Sequence, residues 1–208
     1  MTSQLTNREP KLVAILRGVL PQNVVAIGDI LYEAGIRKIE VPLNSPDPFA
    51  SITALAKRSI PGLTVGAGTV LNIDQVRRTH EAGGLLMVSP NSHGPVIELA
   101  VQLGMEVMPG FATATEAFAA IAAGAKKLKL FPAATYGTQH LQALRAVLPP
   151  DVEVYPVGGI SAKDIPAWLA AGATGFGFGS ELFKPDYSLE DIEKRAKTMV
   201  SALRNAGG

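Results

Sequence analysis

The sequence contains no cysteine, a single tryptophan and almost no excess of either charge. Without thiols, the chain cannot form disulfides, thiolate zinc sites, iron–sulfur clusters or a cysteine nucleophile. Its 19 basic and 18 acidic residues give a net charge of +1, which argues against a nucleic acid or a membrane surface as partner. Any chemistry must use other side chains, and we expect a small-molecule partner.

Long apolar segments are also absent, so no membrane span is predicted. The N-terminal segment 1–11 is polar and carries Arg8 and Glu9 where a secretory signal would need an apolar core. Both features favour a cytoplasmic protein. The length of 208 residues, with 47% hydrophobic and 18% charged residues, is typical of one globular domain, and we expect residues 1–208 to form it.

Short β-branched or apolar runs recur along the chain, and each is followed by a helix-like segment. Eight runs fit this description: 12–16, 38–43, 63–67, 85–89, 106–110, 127–131, 153–157 and 175–179. The pattern is typical of βα units around a parallel sheet. Eight evenly spaced units predict an α/β fold with one closed (β/α)8 TIM barrel, and a doubly wound open sheet is the alternative.

Glycines mark the expected ends of several helices, at Gly35, Gly83, Gly124 and Gly172. Thr113 and Glu116 have the spacing of a capping box, and Ser188 with Asp191 gives a weaker version. We interpret these residues as structural.

Several common cofactor-binding, metal-binding and nucleophile motifs are absent or incomplete in this sequence. The segment 66–68, Gly-Ala-Gly, follows a strand, but Leu71 stands where a dinucleotide fingerprint needs its third glycine, and no P-loop lysine follows. His80, His93 and His140 are far apart and lack metal-binding spacing. No Gly-x-Ser-x-Gly nucleophile motif occurs. The sequence therefore predicts neither a metal site nor a resident cofactor.

In a barrel, the active site lies where the strands end, so polar residues at these positions are the candidates. They are Arg17, Glu40, Asn44, Thr69, Asn91, Lys129 and the glycine-rich turns at 157–159 and 178–180.

Lys129 is the first candidate for covalent chemistry. Side chains alternate between the two faces of a strand, so Lys127 and Lys129 share one face while Leu128 and Leu130 share the other. If the leucines pack under the helices, both lysines point inward, and Lys129 is closer to the mouth. Burial favours the neutral amine that Schiff-base chemistry requires. A solvated lysine at a strand edge is the alternative.

Glu40 is the second candidate, because a carboxylate in so apolar a strand is costly unless it is paired or protonated. General acid–base catalysis would explain it, and a structural ion pair with Arg17 would explain it equally well.

The turns containing Gly158, Gly159, Gly179 and Ser180 follow the seventh and eighth strands, where barrels often bind phosphate through backbone N–H groups. Tight-turn geometry is the alternative for each pair.

Several segments together resemble one family, the class I aldolases of 2-dehydro-3-deoxy-6-phospho-sugar acids. They are Ala-Ile-Leu-Arg-Gly (14–18), Ile-Glu-Val-Pro-Leu-Asn-Ser-Pro (39–46), Gly-Ala-Gly-Thr-Val (66–70), Ser-Pro-Asn (89–91), Pro-Gly (109–110), Leu-Lys-Leu-Phe-Pro (128–132), Val-Gly-Gly (157–159) and Gly-Ser (179–180). The resemblance extends over nearly the whole chain. It implies a TIM barrel, a homotrimer, a phosphorylated keto sugar acid as substrate and pyruvate as product.

The resemblance also assigns residue roles. It implies that Lys129 forms the Schiff base, that Glu40 transfers protons, and that no metal or cofactor takes part. The positions that bind substrate in the family are Arg17, Thr69, Gly158, Gly159, Gly179 and Ser180.

Two positions bear on the substrate. Family members that act on the gluconate epimer typically carry arginine and threonine where this chain has Asn44 and Val157. The chain is therefore more similar to the branch that cleaves 2-dehydro-3-deoxy-6-phosphogalactonate to pyruvate and D-glyceraldehyde 3-phosphate. There are four alternatives. The chain could use the gluconate epimer as main substrate, or it could be a metal-dependent pyruvate aldolase. It could also be another phosphate-using barrel enzyme, such as an epimerase or isomerase, or a non-catalytic sugar-phosphate-binding barrel.

Overall fold

The structure is a computed structural model that describes residues 11–206, so most of the polar N-terminal segment lies outside the described residues. Strands and helices alternate along this part of the chain. The strands are β1 (Leu12–Ile15), β2 (Lys38–Pro42), β3 (Thr64–Gly68), β4 (Leu86–Val88), β5 (Glu106–Met108), β6 (Gly110–Phe111), β7 (Lys127–Leu130), β8 (Glu153–Pro156) and β9 (Phe176–Phe178). The helices are α1 (Pro21–Ala34), α2 (Pro48–Ala56), α3 (Ile73–Glu81), α4 (Gly94–Gln102), α5 (Ala114–Ala122), α6 (Ala133–Arg145), α7 (Ile165–Ala170) and α8 (Leu189–Ala206).

Every strand pairing between these elements is parallel. One sheet has six strands in the order β5-β4-β3-β2-β1-β9, and the other has three in the order β6-β7-β8. All eight predicted runs overlap strands, and the predicted α/β fold with parallel strands is confirmed; the six-stranded sheet is curled. The predicted run 106–110 differs, because it forms two short strands on either side of Pro109. Proline has no N–H to donate to a neighbouring strand, so the ladder is interrupted there.

Side chains on the two faces of the strands enter different environments. Leu128 and Leu130 are fully buried in the large core that lies under the helices. A second, smaller cluster lies on the opposite face of the strands, which we call the interior, and it consists of Val13, Leu86, Val88, Met108 and Tyr155. The inward face of β7 therefore carries Lys127 and Lys129, as the alternation predicts.

The end of the interior at which the strands begin is closed by charged side chains. Glu106 Oε2 accepts hydrogen bonds from Lys38 Nζ at 2.8 Å and from Lys127 Nζ at 2.6 Å. Tyr155 donates to Glu153 at 2.6 Å, and Glu153 also pairs with a lysine. Lys127 is therefore a structural residue in this layer, paired with Glu106.

Helix ends follow the predicted signals. The four predicted glycine stops all adopt a positive φ, from 85° at Gly83 to 106° at Gly35. Thr113 and Glu116 form the complete capping box of α5, and Ser188 and Asp191 exchange the corresponding hydrogen bonds before α8. Among the described helices, none is long and apolar enough to cross a membrane.

Candidate active site

Lys129 on β7 and Glu40 on β2 meet in the interior near the ends of their strands. Lys129 is 7% exposed and Glu40 is 1% exposed, and Lys129 Nζ lies 3.8 Å from Glu40 Oε1. The interpretation of Lys129 as a solvated edge residue is therefore wrong. Glu40 has an ion-pair partner, but that partner is Lys129 and not Arg17, which turns towards other residues. The amine and the acid–base candidate are thus brought together.

Burial raises the pKa of the Glu40 carboxyl above its ordinary value of 4.5, because desolvation disfavours the carboxylate. The charges of Lys129 and Arg17 oppose this rise without cancelling it. A carboxyl with a raised pKa can both accept and return a proton closer to neutral pH, as a general acid–base catalyst must.

Arg17, Asn44 and Thr69 form a polar cluster just beyond β1, β2 and β3. The Arg17 guanidinium donates from Nη1 to Asn44 Oδ1 and from Nη2 to Thr69 Oγ1, the latter at 3.5 Å. Arg17 and Asn44 are exposed, whereas Thr69 is half-buried. A guanidinium fixed in this way presents its remaining N–H groups as a binding site for a carboxylate.

Thr69 has a strained backbone. Its φ of 58° lies in the left-handed region that β-branched residues rarely adopt. Strain of this kind persists only where the surrounding structure enforces it, and it is concentrated at functional sites. At Thr69, the strained turn directs the hydroxyl towards Arg17.

The turns after β8 and β9 expose backbone donors. Gly158 and Gly159 adopt φ values of 96° and 73°, which glycine tolerates and other residues rarely adopt. Within residues 11–206, the N–H groups of Gly159, Ile160, Gly179 and Ser180 donate to no backbone carbonyl. Free backbone N–H groups in glycine-rich turns are suited to binding an anion such as phosphate.

Val157 is buried, and it faces the interior beside Gly177. A Cβ atom added at Gly177 would lie 2.7 Å from Val157 Cγ2, so the valine occupies the space that this glycine leaves. The two substrate-related positions therefore differ in the structure: Asn44 contacts Arg17, and Val157 packs against β9.

Phe131 also belongs to the site, although the sequence analysis assigned no role to it. Its ring centroid lies 5.1 Å from Lys129 Nζ, and its ring also faces Gly158, where an added Cβ would approach it to 3.3 Å. Cation–π contact at this distance is favourable. Phe131 is two residues after Lys129, so the alternation that placed the lysine inward indicates the same direction for this ring.

None of the remaining sequence candidates makes a side-chain hydrogen bond to Lys129, Glu40 or Arg17 within residues 11–206. Asn91 is exposed, and its backbone carbonyl accepts a hydrogen bond from Ser89. His80 and His93 are exposed, and His140 contacts the Ala112 carbonyl. Among residues 11–206, no group of three His, Asp or Glu side chains is placed to hold a metal ion.

The chain is similar to known aldolases over nearly its whole length. A family model described as KDPG and KHG aldolase matches residues 4–198. The chain is 48% identical over 194 residues to the probable 2-dehydro-3-deoxy-6-phosphogalactonate aldolase of Rhizobium meliloti (strain 1021), with 93% of this chain and 92% of that protein covered. It is 44% identical over 195 residues to the 2-dehydro-3-deoxy-6-phosphogalactonate aldolase of Escherichia coli (strain K12), with 94% and 95% covered.

The fold agrees with this relationship. A solved structure described as native KDPGal superimposes with a TM-score of 0.92 at 42% identity, and it covers 100% of this chain and 98% of its own. With a family model that extends over almost the entire sequence and relatives above 40% identity, the chain belongs to the KDPG and KHG aldolase family.

Proposed function

We propose that the chain is a class I aldolase that cleaves 2-dehydro-3-deoxy-6-phosphogalactonate to pyruvate and D-glyceraldehyde 3-phosphate. The observation that carries the proposal is the buried pair of Lys129 and Glu40, with 3.8 Å between amine and carboxylate. An amine beside a proton-transfer group is the minimum that Schiff-base cleavage requires.

The reaction begins with the neutral Lys129 amine, which attacks the C2 ketone and forms a carbinolamine. Loss of water gives an iminium, whose C2=N bond is the electron sink for the next step. Glu40 accepts the proton that the Lys129 ammonium loses and donates it to the departing C2 hydroxyl, which leaves as water, so Glu40 is a carboxylate again once the iminium has formed.

Cleavage then breaks the C3–C4 bond. The Glu40 carboxylate accepts the proton of the C4 hydroxyl, directly or through water, and the O–H electrons form the aldehyde of glyceraldehyde 3-phosphate. The C3–C4 electrons move into the iminium and give an enamine. Return of the proton to C3 and addition of water at C2 release pyruvate and restore the Lys129 amine.

Two clusters at the strand ends would hold the substrate. Arg17 and Thr69 bind the keto-acid end through charge-assisted hydrogen bonds. Gly158, Gly159, Gly179 and Ser180 bind the phosphate through backbone N–H groups. The free donors of the two turns support this placement.

The galactonate epimer is proposed as the main substrate because both reported relatives carry its name and because Asn44 and Val157 depart from the gluconate pattern. The test is to measure kcat/KM for the two C4 epimers with the same preparation. A higher value for the galactonate epimer supports the proposal, and a higher value for the gluconate epimer contradicts it.

The experiment that tests the chemistry is reduction with sodium borohydride in the presence of pyruvate, followed by intact and peptide mass measurement. A reduced pyruvyl adduct on the Lys129 peptide is expected. Folded protein that gives no adduct would contradict the proposal and would favour a metal-dependent aldolase, an epimerase or isomerase, or a sugar-phosphate-binding protein. Activity that survives EDTA would exclude the first of these.

We further propose that the two sheets form one closed (β/α)8 barrel within a single domain. Support comes from the contacts between the sheets: Lys129 N–H donates to the Pro109 carbonyl at 2.9 Å, and Val157 forms a parallel bridge with Gly177. A crystal structure with continuous pairing from β8 to β9 would support closure, and an open edge there would contradict it. One cooperative transition in calorimetry is expected for a single domain.

The homotrimer expected from the family resemblance is also part of the proposal. Exposed apolar side chains such as Phe118 on α5, which is 44% exposed, are available for contacts between copies. Native mass spectrometry is expected to give three times the chain mass of 21.8 kDa. A cytoplasmic location stays a prediction, and fractionation of expressing cells would test it.

A further inference from the structure

Gly68 at the end of β3 lies directly beneath the Glu40 carboxylate. The β2 and β3 strands pair in parallel, with Glu40 opposite Gly66 and Pro42 opposite Gly68. The Glu40 side chain therefore leans along the strands by two residues to reach this position. A Cβ atom built on Gly68 would lie 1.2 Å from Glu40 Oε2 and 2.5 Å from its carboxyl carbon. Any side chain at position 68 would exclude the carboxylate from where it stands.

The backbone does not explain this glycine. Gly68 is part of β3 and does not have the positive φ that makes glycine necessary at a turn. The neighbouring Gly66 differs, because an added Cβ there would lie 1.8 Å from the Leu86 carbonyl oxygen and would collide with the backbone of β4. Gly66 is thus required by strand packing, whereas the space at Gly68 is taken by the carboxylate alone.

We propose that Gly68 is a positioning residue for the reaction, since the space it leaves holds the Glu40 carboxylate 3.8 Å from Lys129 Nζ. The inference rests on the proposed function. The carboxylate is the far end of a flexible side chain, so a methyl group at position 68 displaces it without rearranging the backbone. A displaced carboxylate no longer reaches the protons that it must accept and return, although Lys129 stays in place.

The Gly68→Ala variant separates the two roles of the site. The end-point yield of borohydride trapping of pyruvate on Lys129 is expected to stay within about threefold of the parent protein, because the amine is present and can lose its proton to water when the carboxylate is displaced. Exchange of the pyruvate C3 hydrogens with deuterium, and kcat for cleavage, are expected to fall by about 10²-fold or more, which is the usual contribution of a general acid–base group. KM is expected to change much less than kcat.

Ala67→Gly is the matched control. Ala67 lies on the same strand and is fully buried on the opposite face, so its loss loosens β3 without contact to Glu40. A lower Tm with unchanged exchange is expected. If Gly68→Ala reduces trapping and exchange in parallel with Tm, as a merely structural role would, the inference is overturned.

The double variant Gly68→Ala/Glu40→Asp keeps the test decisive even if the single variant does not fold. Aspartate retracts the carboxylate by about 1.5 Å, one carbon–carbon bond, and so relieves the overlap. The double variant is expected to fold and to match Glu40→Asp in exchange rate within about threefold, because the two changes act on the same atoms. The inference would be overturned by a double variant that exchanges more than tenfold more slowly than Glu40→Asp, or by a Gly68→Ala protein with the parent kcat and exchange rate. Either result would leave the proposed function intact. Parent protein that traps no pyruvate would instead overturn the proposed function.

Discussion

Lys129 Nζ stands 3.8 Å from Glu40 Oε1, and the two side chains are 7% and 1% exposed. At this distance, the charge of Lys129 lowers the pKa of the Glu40 carboxyl, which opposes the larger rise caused by burial. A proton that moves from the ammonium to the carboxylate converts an ion pair into a neutral amine and a neutral acid. The pair bears no net charge in either state, which avoids the cost of an isolated buried ion.

Replacement of Lys129 by methionine is expected to abolish cleavage and borohydride trapping while the chain still folds. Methionine fills a similar volume, and Glu40 can become protonated when its counter-ion is lost, because its pKa is already raised by burial. Turnover and adduct mass are the measurements. Retained turnover would contradict the Schiff-base mechanism.

Lys127→Met is the control for that variant. Lys127 shares the inward face of β7 but pairs with Glu106 at the opposite end of the interior. This change is expected to lower stability and to leave trapping and turnover near the parent values.

Glu40→Gln is expected to lower kcat by about 10²- to 10⁴-fold, because proton transfer to and from the substrate is removed. The end-point yield of pyruvate trapping is expected to be retained, because the Lys129 amine is present and can lose its proton to water. The parent enzyme needs the ionised carboxylate to accept the C4 hydroxyl proton. Since burial raises the pKa of Glu40, the acid limb of the kcat profile is expected above pH 4.5 and should disappear in the variant. An unchanged acid limb in Glu40→Gln would assign it to another group.

The order of strands and helices could be predicted from the sequence, because parallel strands buried on both faces appear as short apolar runs. Alternation along one such run was enough to direct Lys129 inward, since its parity depends only on Leu128 and Leu130. The break at Pro109 could also have been predicted, because proline has no N–H to donate to a neighbouring strand. The run 106–110 was nevertheless predicted as one continuous strand.

The contacts between the site residues could not be predicted from the sequence. The ion pair of Glu40 joins β2 to β7 across the interior, and its distance depends on which strands face each other rather than on any spacing along the chain. The contact from Arg17 to Asn44 and the place of the carboxylate above Gly68 likewise depend on how adjacent strands are staggered.

Arg17→Ala is expected to raise KM for the sugar-acid substrate more than it lowers kcat. Hydrogen bonds to a charged group contribute about 1.5–3 kcal/mol, which corresponds to a rise of roughly 10- to 150-fold. Asn44→Ala is expected to give a smaller rise, because the guanidinium keeps its charge but loses one of its two fixing contacts.

Steady-state kinetics at two salt concentrations would check both changes, since Arg17 is exposed and its attraction to an anion is screened by salt. Arg58→Ala is a suitable control, because Arg58 is an exposed arginine that pairs with Asp29 on α1. Equal effects of the Arg17 and Arg58 changes on KM would contradict a substrate-binding role for Arg17.

The capping box of α5 gives a prediction about acid stability. Hydrogen bonds from the backbone N–H groups of Ala112 and Thr113 lower the pKa of Glu116 below 4.5. A carboxyl whose pKa is lower in the folded state stabilises the protein above its unfolded pKa, and this stabilisation is lost as pH falls through the folded pKa.

Glu116→Gln is therefore expected to be less stable than the parent at pH 7, with the difference shrinking below pH 4.5. Urea unfolding at pH 7 and at pH 3 measures the difference. Glu98→Gln is the control, because Glu98 is an exposed glutamate on α4. A difference that does not change with pH would mean that the Glu116 charge contributes nothing to the cap.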